Sequence, residues 1–319
     1  MRNGTAGQDE EYALSEVIGF ILLLGVFVAA MSLWMIYIVP VNGREAEISH
    51  MNEVKDQFTS YKISLDPLWI NSPYRADCNN NPSPDCGPRG VTLSTSMDLG
   101  TGGGDTQVSG LFLPMMNPIA SSATLSVRDG DYMTITTDAG PKTYNMSALE
   151  YQSQNNYWIQ QKYYYQCGGV FLSQQNGITY RISPPISFKW NPYSVIITPI
   201  NLISTTGSMG GNGPVRVDTT IMNIQPPDTG NRSWVNVSVN VADYQTAMMW
   251  LGMFNNFRKS GGIPNSTSYF TSGNSSPTAP LGVAFINITS YPLSPPSVNL
   301  IVRPVNYTVT INNIVSNLN

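Results

Sequence analysis

One long apolar segment dominates the hydrophobic pattern of the chain. The 23 residues from Val17 to Val39 (VIGFILLLGVFVAAMSLWMIYIV) carry no charge. At a rise of about 1.5 Å per residue they make a helix of roughly 35 Å, and a hydrocarbon core is about 30 Å thick. The pattern therefore predicts a helix that lies in or across a membrane.

A second helical pattern follows the apolar segment. Apolar side chains recur at spacings of three and four residues, at Ile48, Met51, Val54, Phe58 and Tyr61. This period predicts an amphipathic helix over residues 40–65. Because Pro40 and Gly43 disfavour a continuous helix, the sequence also predicts a bend or break between the two. The amphipathic helix covers one end of the rest of the chain, or serves as a stalk that packs along it.

Beyond residue 66 the apolar pattern changes to short alternating runs separated by Gly, Pro and Asn. Such runs are typical of strands. The pattern predicts strands at residues 90–95, 123–127, 132–137, 163–172, 179–182, 195–200, 215–222, 234–241, 282–289, 299–302 and 306–314. Many short strands favour an antiparallel β-sandwich-like head, in one or two sub-domains, and a boundary between residues 205 and 206 divides it into 66–205 and 206–319.

One helix interrupts these strands, over residues 243–259. Asp243 is a suitable N-cap, and Arg258 and Lys259 lie in the last turn. The apolar residues Ala247, Met248, Leu251 and Phe254 are predicted to share a face. Burial against the strands is the simplest role for that face, and a docking surface is the alternative.

The residues that flank the apolar segment distinguish three kinds of segment. A secretory signal has a shorter apolar stretch, a basic start and a small-residue cleavage site, whereas this segment is long and follows acidic Asp9, Glu10 and Glu11. A plain single-span anchor fits the segment itself. About 280 residues follow the span and about 16 precede it, so we expect the N-terminus in the cytoplasm and the large C-terminal part outside.

The third kind is indicated by the residues at the start of the segment. The stretch Ala13-Leu14-Ser15-Glu16-Val17-Ile18-Gly19-Phe20-Ile21-Leu22 resembles the start of archaeal type IV pilins and archaellin-like proteins. The resemblance implies that residues 1–13 are a leader, which a prepilin-type peptidase removes between Ala13 and Leu14. It also implies that the helix over 14–39 stays on the mature protein and that Glu16 neutralises the amino terminus of a neighbouring Leu14 during filament assembly.

The composition of the exported part excludes most catalytic chemistry. From Asp66 to Asn319 there are 12 acidic and 12 basic residues, with one glutamate, Glu150, and no histidine. A neutral surface gives no basic footprint for nucleic acid. Triads and histidine-bound zinc sites need an imidazole, so we expect no enzyme, cofactor or metal there. Asp129 and Asp131 could act as paired carboxylates or bind calcium, but Asp129-Gly130 is better interpreted as a β-hairpin turn.

Cysteines and glycosylation motifs fit an exported protein. Cys78 and Cys86 enclose an Asn- and Pro-rich loop and are predicted to form a disulfide, with free thiols as the alternative; Cys167 is predicted to be a buried small hydrophobe. Glycosylation acceptors occur at Asn145, Asn231, Asn236, Asn265, Asn274, Asn287 and Asn306. In a chain so rich in Asn, Ser and Thr these motifs permit glycosylation without demonstrating it.

Aromatic residues beside polar ones suggest a sugar-binding surface. Tyr151, Tyr157 and Trp158 lie among Asn, Gln and Glu, and the alternative is a strand-rich core with tyrosines at its rim. The sequence thus favours a cell-surface structural protein that is anchored in the membrane, self-associates into filaments, and meets glycans or S-layer proteins through its head. The alternative is a single-span envelope protein that binds such partners without polymerising.

Overall fold

The computed structural model describes residues 6–71, 90–101, 117–190, 193–222, 225–264, 266, 268–277, 279, 281–289 and 297–313, with the backbone alone for residues 6–16. In this part of the chain the fold is mainly β and carries one long N-terminal apolar helix, as predicted. The helices are α1 (Ala6–Leu33), α2 (Val39–Ile70) and α3 (Tyr244–Ser260), and a π-helical turn, Trp34–Ile38, joins α1 to α2.

The strands of the described residues are short, as the alternating pattern predicts. In chain order they are β1 (Thr92–Asp98), β2 (Ser122–Arg128), β3 (Tyr132–Thr137), β4 (Gly140–Asn145), β5 (Ala148–Gln154), β6 (Gln161–Gln166), β7 (Gly169–Gln174), β8 (Gly177–Ile182), β9 (Ile186–Lys189), β10 (Ser194–Ile197), β11 (Ile200–Ser204), β12 (Met209–Gly211), β13 (Pro214–Ile221), β14 (Asp228–Arg232), β15 (Trp234–Val241), β16 (Phe270–Asn274), β17 (Gly282–Thr289), β18 (Val298–Val302) and β19 (Val305–Asn313).

These strands form four sheets. Sheet I has the order β12-β2-β5-β6-β7-β8, sheet II β1-β13-β19-β11, sheet III β16-β17-β15-β3-β4, and sheet IV β14-β18-β10-β9. Two strand pairs are parallel, β10 with β18 and β11 with β19. Every sheet joins strands from both sides of residue 206, so the pairing crosses the predicted sub-domain boundary.

The sheets are arranged in a propeller-like ring and not in a clear sandwich. The chain passes from sheet IV to sheet II twice, from β10 to β11 at Pro199 and from β18 to β19 at Pro304. Proline has no N–H for the ladder, so a strand ends or bends there. This corrects the single strand predicted over 195–200, and the backbone bonds from Arg303 N to Ile197 O and from Val305 N to Pro199 O hold the two corners together.

Two hydrophobic cores lie on opposite faces of sheet I. Tyr163, Tyr165 and Leu172 face a core shared with α2 and sheet II. Tyr164 and Phe171, their neighbours in sequence, face a second core shared with α3 and sheets III and IV. Because successive side chains of a strand point to opposite faces, the centres of β6 and β7 carry large apolar side chains on both faces, as expected for strands that are buried on both sides.

Two predicted strand arrangements are wrong. The stretch 163–172 is a hairpin of β6 and β7, which turns at Cys167 and Gly168 with positive φ angles of 49° and 77°. Asp129-Gly130 is not a hairpin turn, because β2 pairs in sheet I and β3 in sheet III. Gly130, at a φ of 109°, turns the chain from one sheet to the other.

Helix α3 begins as predicted and differs in the face that it buries. Asp243 Oδ1 accepts the backbone N–H of Thr246 at 2.9 Å, which is an N-cap bond. Trp250, Met253 and Phe254 are buried in the core, whereas Met248 is 43% exposed. The buried face is thus rotated away from Met248, since Trp250 and Met253 contribute more apolar area to the core.

Candidate functional site

The apolar half of the N-terminal helix has no partner among the described residues. Its large side chains from Val17 to Ile38 are exposed, and Leu23 reaches 70% and Val26 71%. It is the one helix in the described chain that is long and apolar enough to cross a membrane. Because apolar residues cover every side of the helix, it has no polar face that could meet water while the opposite face packs in a core.

The one serine of this half forms its hydrogen bond within the helix. Between Val17 and Gly43 no residue is charged. Ser32 Oγ donates to Val28 O at 2.8 Å, one turn earlier in the same helix. A hydroxyl bonded in this way is tolerated in an apolar medium because it leaves no unmet donor there.

The sequence predicts a bend or a break near Pro40, and the helix does not break there. Pro40 has no N–H, and its ring would collide with the carbonyl of Ile36 in a regular α-helix. The π-helical turn Trp34–Ile38 widens the backbone just before it, and Val39 N–H donates to Trp34 O, five residues earlier. The wider turn accommodates the proline, so α1 and α2 form one continuous rod.

The second half of the rod belongs to the core of the head. Phe58, Tyr61 and Leu65 are fully buried, as the apolar period predicts. The Phe58 ring stacks with Tyr163 at 6.2 Å, and the Tyr61 ring meets Tyr165 edge-on at 5.3 Å. Each buried side chain of this size contributes roughly 1.5–3 kcal/mol, so α2 is a structural part of the head.

A carboxylate fixes the rod where it enters the head. Glu47 is 1% exposed. Its Oε1 accepts from Asn156 N at 2.6 Å and its Oε2 from Tyr157 N at 2.8 Å, in the loop between β5 and β6. Hydrogen bonds to a charged acceptor are stronger than neutral ones, which offsets the desolvation of the buried carboxylate.

Two residues one turn earlier complete this junction. A Cβ on Gly43 would lie 2.4 Å from the Tyr157 ring, so only glycine allows this close approach of the ring without a shift. The guanidinium of Arg44 lies 4.5 Å from the centroid of the Trp158 ring. We call Gly43, Arg44 and Glu47, with the loop residues Asn156, Tyr157 and Trp158, the junction clamp. It holds the rod beside the head at the end of the apolar segment.

His50 forms a second polar contact below the clamp. Its Nε2 lies 2.9 Å from Tyr151 Oη, and the Tyr151 hydroxyl donates to Leu99 O at 3.1 Å. Because that hydroxyl has one proton to give, His50 Nε2 must carry a proton and donate to it. Burial lowers the pKa of His50, and the nearby Glu53 and Asp98 only partly oppose this, so the imidazole is neutral at neutral pH.

All three aromatic residues that the sequence suggests for sugar binding contact the rod. Tyr151 contacts it through His50, and Tyr157 and Trp158 contact it in the junction clamp. Tyr151 is 1% exposed, so its ring has no free face, which corrects its prediction as a ligand residue. Tyr157 and Trp158 are half-buried. Tyr157 Oη accepts from Ile119 N at 3.1 Å, and Trp158 covers Arg44. Sequence reasoning identified the aromatic stretch but not its partner, which lies about a hundred residues earlier.

The other predicted site residues are not members of the junction clamp. Ala13, Leu14 and Glu16 are part of α1. Cys78, Cys86 and Asn265 lie outside the described residues. Asn145 and Asn231 are exposed, whereas Asn236, Asn274, Asn287 and Asn306 are half-buried on strands. Cys167 is a buried free thiol, as predicted, and burial raises its pKa to about 12.

Asp131, one of the two carboxylates that the sequence offers as a pair, binds Arg128 and Gln166. Asp131 Oδ2 accepts from Arg128 Nη2 at 2.9 Å and from Gln166 Nε2 at 2.6 Å. Arg128 Nε donates to Glu150 at 2.6 Å. Burial opposes the charge of Arg128, but these bonds outweigh it and raise the pKa of the guanidinium. The cluster ties sheet I to the start of β3, and this contact explains Asp131 without catalysis.

In the described residues no three His, Cys, Asp or Glu side chains come together as ligands for a metal. Comparison of the chain with models of protein families, with curated proteins and with solved structures finds no match.

Proposed function

We propose that the chain is a pilin-like structural protein of an archaeal cell surface, anchored by its N-terminal helix and carrying its β-rich head outside the cell. The observation that carries this proposal is the division of one continuous helix. From Val17 to Ile38 it is apolar on all sides and has no partner among the described residues, and its second half is built into the core of the head. A helix of this kind can exchange lipid for other apolar helices while the head stays folded.

The first step of the proposed function is anchoring. From Val17 to Ile38 the helix spans about 33 Å at 1.5 Å per residue. Trp34 and Tyr37 lie exposed at the head-side end of this segment. Aromatic side chains favour the boundary between hydrocarbon and water, so these two residues support a stage in which the head rests just outside the bilayer.

The second step is processing and assembly. A prepilin-type peptidase would cut between Ala13 and Leu14 on the cytoplasmic side. Identical helices would then pack their apolar surfaces together, and Glu16 would neutralise the new amino terminus at Leu14 of a neighbour. The pairing fixes the stagger between subunits because an unpaired charge in an apolar bundle is costly.

Two measurements on the membrane-extracted protein test the proposal. N-terminal sequencing that begins at Leu14 supports prepilin-type processing, whereas an intact Met1 end contradicts it. Fibres released by shear that contain the protein support assembly. A Glu16→Ala variant is expected to be processed yet to lose fibres, and Glu45→Ala, which changes an exposed carboxylate of α2, is the control.

A single-span envelope protein that never polymerises is the alternative. The interfacial position of Trp34 and Tyr37 favours it equally, because this feature concerns the membrane stage only. Protein that starts at Met1, remains in membranes after shear and is unaffected by Glu16→Ala would support this alternative over a filament.

A further inference from the structure

The outer face of sheet III carries a groove far from the junction clamp. It is lined by Thr136 on β3, Trp234 and Asn236 on β15, and Asn287 and Thr289 on β17, and its volume is about 590 Å³. We call it the sheet III groove. The opposite face of the same strands supplies Val235, Val237, Ile286 and Ile288 to the core, so alternation along the strands directs the groove residues outward.

The strand register places the groove residues side by side. Asn236 lies opposite Thr136 on one neighbouring strand and opposite Asn287 on the other. Trp234 lies opposite Thr289. Two amides and one hydroxyl thus form a row across three strands, with an indole ring and a second hydroxyl beside it.

The chemistry of this row is selective. None of the five lining side chains carries a charge, so the groove offers no attraction to ions. Amides and hydroxyls both donate and accept hydrogen bonds, as sugar hydroxyls do. A flat indole gives an apolar surface for the C–H face of a sugar ring. The groove is open to solvent, and its one aromatic and four polar side chains offer a sugar residue a stacking surface and several hydrogen bonds.

One unmet acceptor points to a ligand. Asn287 Oδ1 is shielded from solvent and has no hydrogen-bond donor among the described residues. A buried polar atom without a partner costs about 1–3 kcal/mol, and few exist in folded proteins. A rotation of the Asn287 amide would turn this oxygen towards the groove, where a ligand hydroxyl can supply the missing donor.

We propose that the sheet III groove binds a neutral sugar residue non-covalently, with Trp234 stacking on the ring and Asn236 and Asn287 bonding its hydroxyls. The inference deepens the surface-interaction role proposed for the head and rests on that role only for where the sugar is met. It differs from the prediction of Asn236 and Asn287 as covalent glycosylation acceptors, and from the sugar site predicted around Trp158.

The test uses the full chain in nanodiscs, free of sugar-based detergents, which would compete for the groove. An array of neutral oligosaccharides of glucose, galactose, mannose and N-acetylglucosamine is the probe, and calorimetry measures the affinity of the tightest one. We expect Trp234→Ala to weaken binding at least about tenfold, since loss of a stacking surface is worth about that factor. Trp158→Ala is the matched control and is expected to leave the affinity unchanged.

A second variant distinguishes loss of the binding site from loss of the fold. Asn287→Ala removes the unpaired oxygen together with the amide, so we expect the Tm of the free protein to be unchanged or higher while sugar affinity falls. The proposal is overturned if no neutral oligosaccharide binds, if Trp234→Ala binds normally, or if Trp158→Ala alone abolishes binding. A covalent glycan found by mass spectrometry on Asn236 or Asn287 of the native protein overturns it too. None of these readouts depends on processing at Leu14 or on fibres, so the two proposals fail separately.

Discussion

The two halves of the N-terminal rod share one backbone and differ in what surrounds them. From Val17 to Ile38 the large apolar side chains are exposed on every side, whereas from Val39 to Ile70 apolar residues are buried along one face only. The first half carries no charged residue on any side. The second has a helical period because only one face meets the head. The lack of charged residues, more than periodicity, thus distinguishes the exposed half from the half that packs on the head.

The largest effect should appear when two arginines are introduced into each half in turn. The double variant Leu23→Arg with Phe27→Arg places two charges in the exposed half, at a cost on the order of 5–7 kcal/mol if that half enters a bilayer. We expect the protein to be lost from alkali-washed membranes. The control is Ile63→Arg with Ile70→Arg, at positions of α2 that are 61% and 59% exposed. Equal membrane retention of both variants would contradict a membrane role for residues 17–38.

Removing one phenylalanine from each half gives a second contrast. Phe58 is fully buried against the head and Phe27 is 58% exposed. We expect Phe58→Ala to lower the free energy of unfolding of the head by about 3–5 kcal/mol, because it leaves a cavity. Phe27→Ala should leave it unchanged. Urea unfolding followed by near-UV circular dichroism measures both, and similar losses would mean that the exposed half also stabilises the head.

The junction clamp marks the boundary between the halves and can be weakened separately. Glu47→Gln keeps the shape but turns an NH₂ group towards a backbone donor, so we expect a loss of about 1.5–3 kcal/mol. Glu45→Gln, two residues away and exposed, is the matched control. The same urea experiment measures the effect, and an unchanged stability for Glu47→Gln would show that the clamp does not fix the rod.

The smallest effect should be a pH dependence of the docked half. Because burial lowers the pKa of His50, the unfolded chain takes up a proton at a higher pH than the folded one. The contribution of His50 to the free energy of unfolding is fully present above the ordinary pKa of 6.5. It decreases as the pH drops through 6.5 towards the lowered pKa of the folded state. His50 is the only histidine of the chain. Unfolding at about pH 8 and about pH 5.5 should therefore show a decrease that His50→Gln reduces; an equal decrease in that variant would assign it elsewhere.

Local patterns predicted the elements of this fold better than their partners. The apolar helix, the buried face of α2 and the Asp243 cap follow from residues within a few positions of one another. The hairpin at Cys167 was missed although Gly168-Gly169 favours a turn, because apolar runs flank this pair closely on both sides and Cys167 is an unusual residue at a positive φ. Pro40 predicted a break because a compensating π-helical turn leaves no clear mark in the sequence.

The candidate site depends on contacts that no local pattern contains. Glu47 reaches Asn156 and Tyr157 across more than a hundred residues, and Trp234 meets Thr289 only because β15 pairs with β17. The sequence supplied a plausible aromatic sugar site at Tyr151 and Trp158, yet the register of sheet III supplies another with a free groove. Residue type can suggest a chemistry, and strand pairing decides which residues are available for it.

The contact between α2 and β19 implies an order in which parts of the chain fold during synthesis. Tyr307 Oη donates to Leu65 O at 3.1 Å, across 242 residues, and β19 lies in the interior of sheet II between β13 and β11. Most of the chain must be synthesised before this sheet can close, because its inner strand comes nearly last. Until then the face of α2 around Phe58, Tyr61 and Leu65 is not yet packed against β19. The rod is thus made long before β19, and its packing on the head is complete only when β19 pairs.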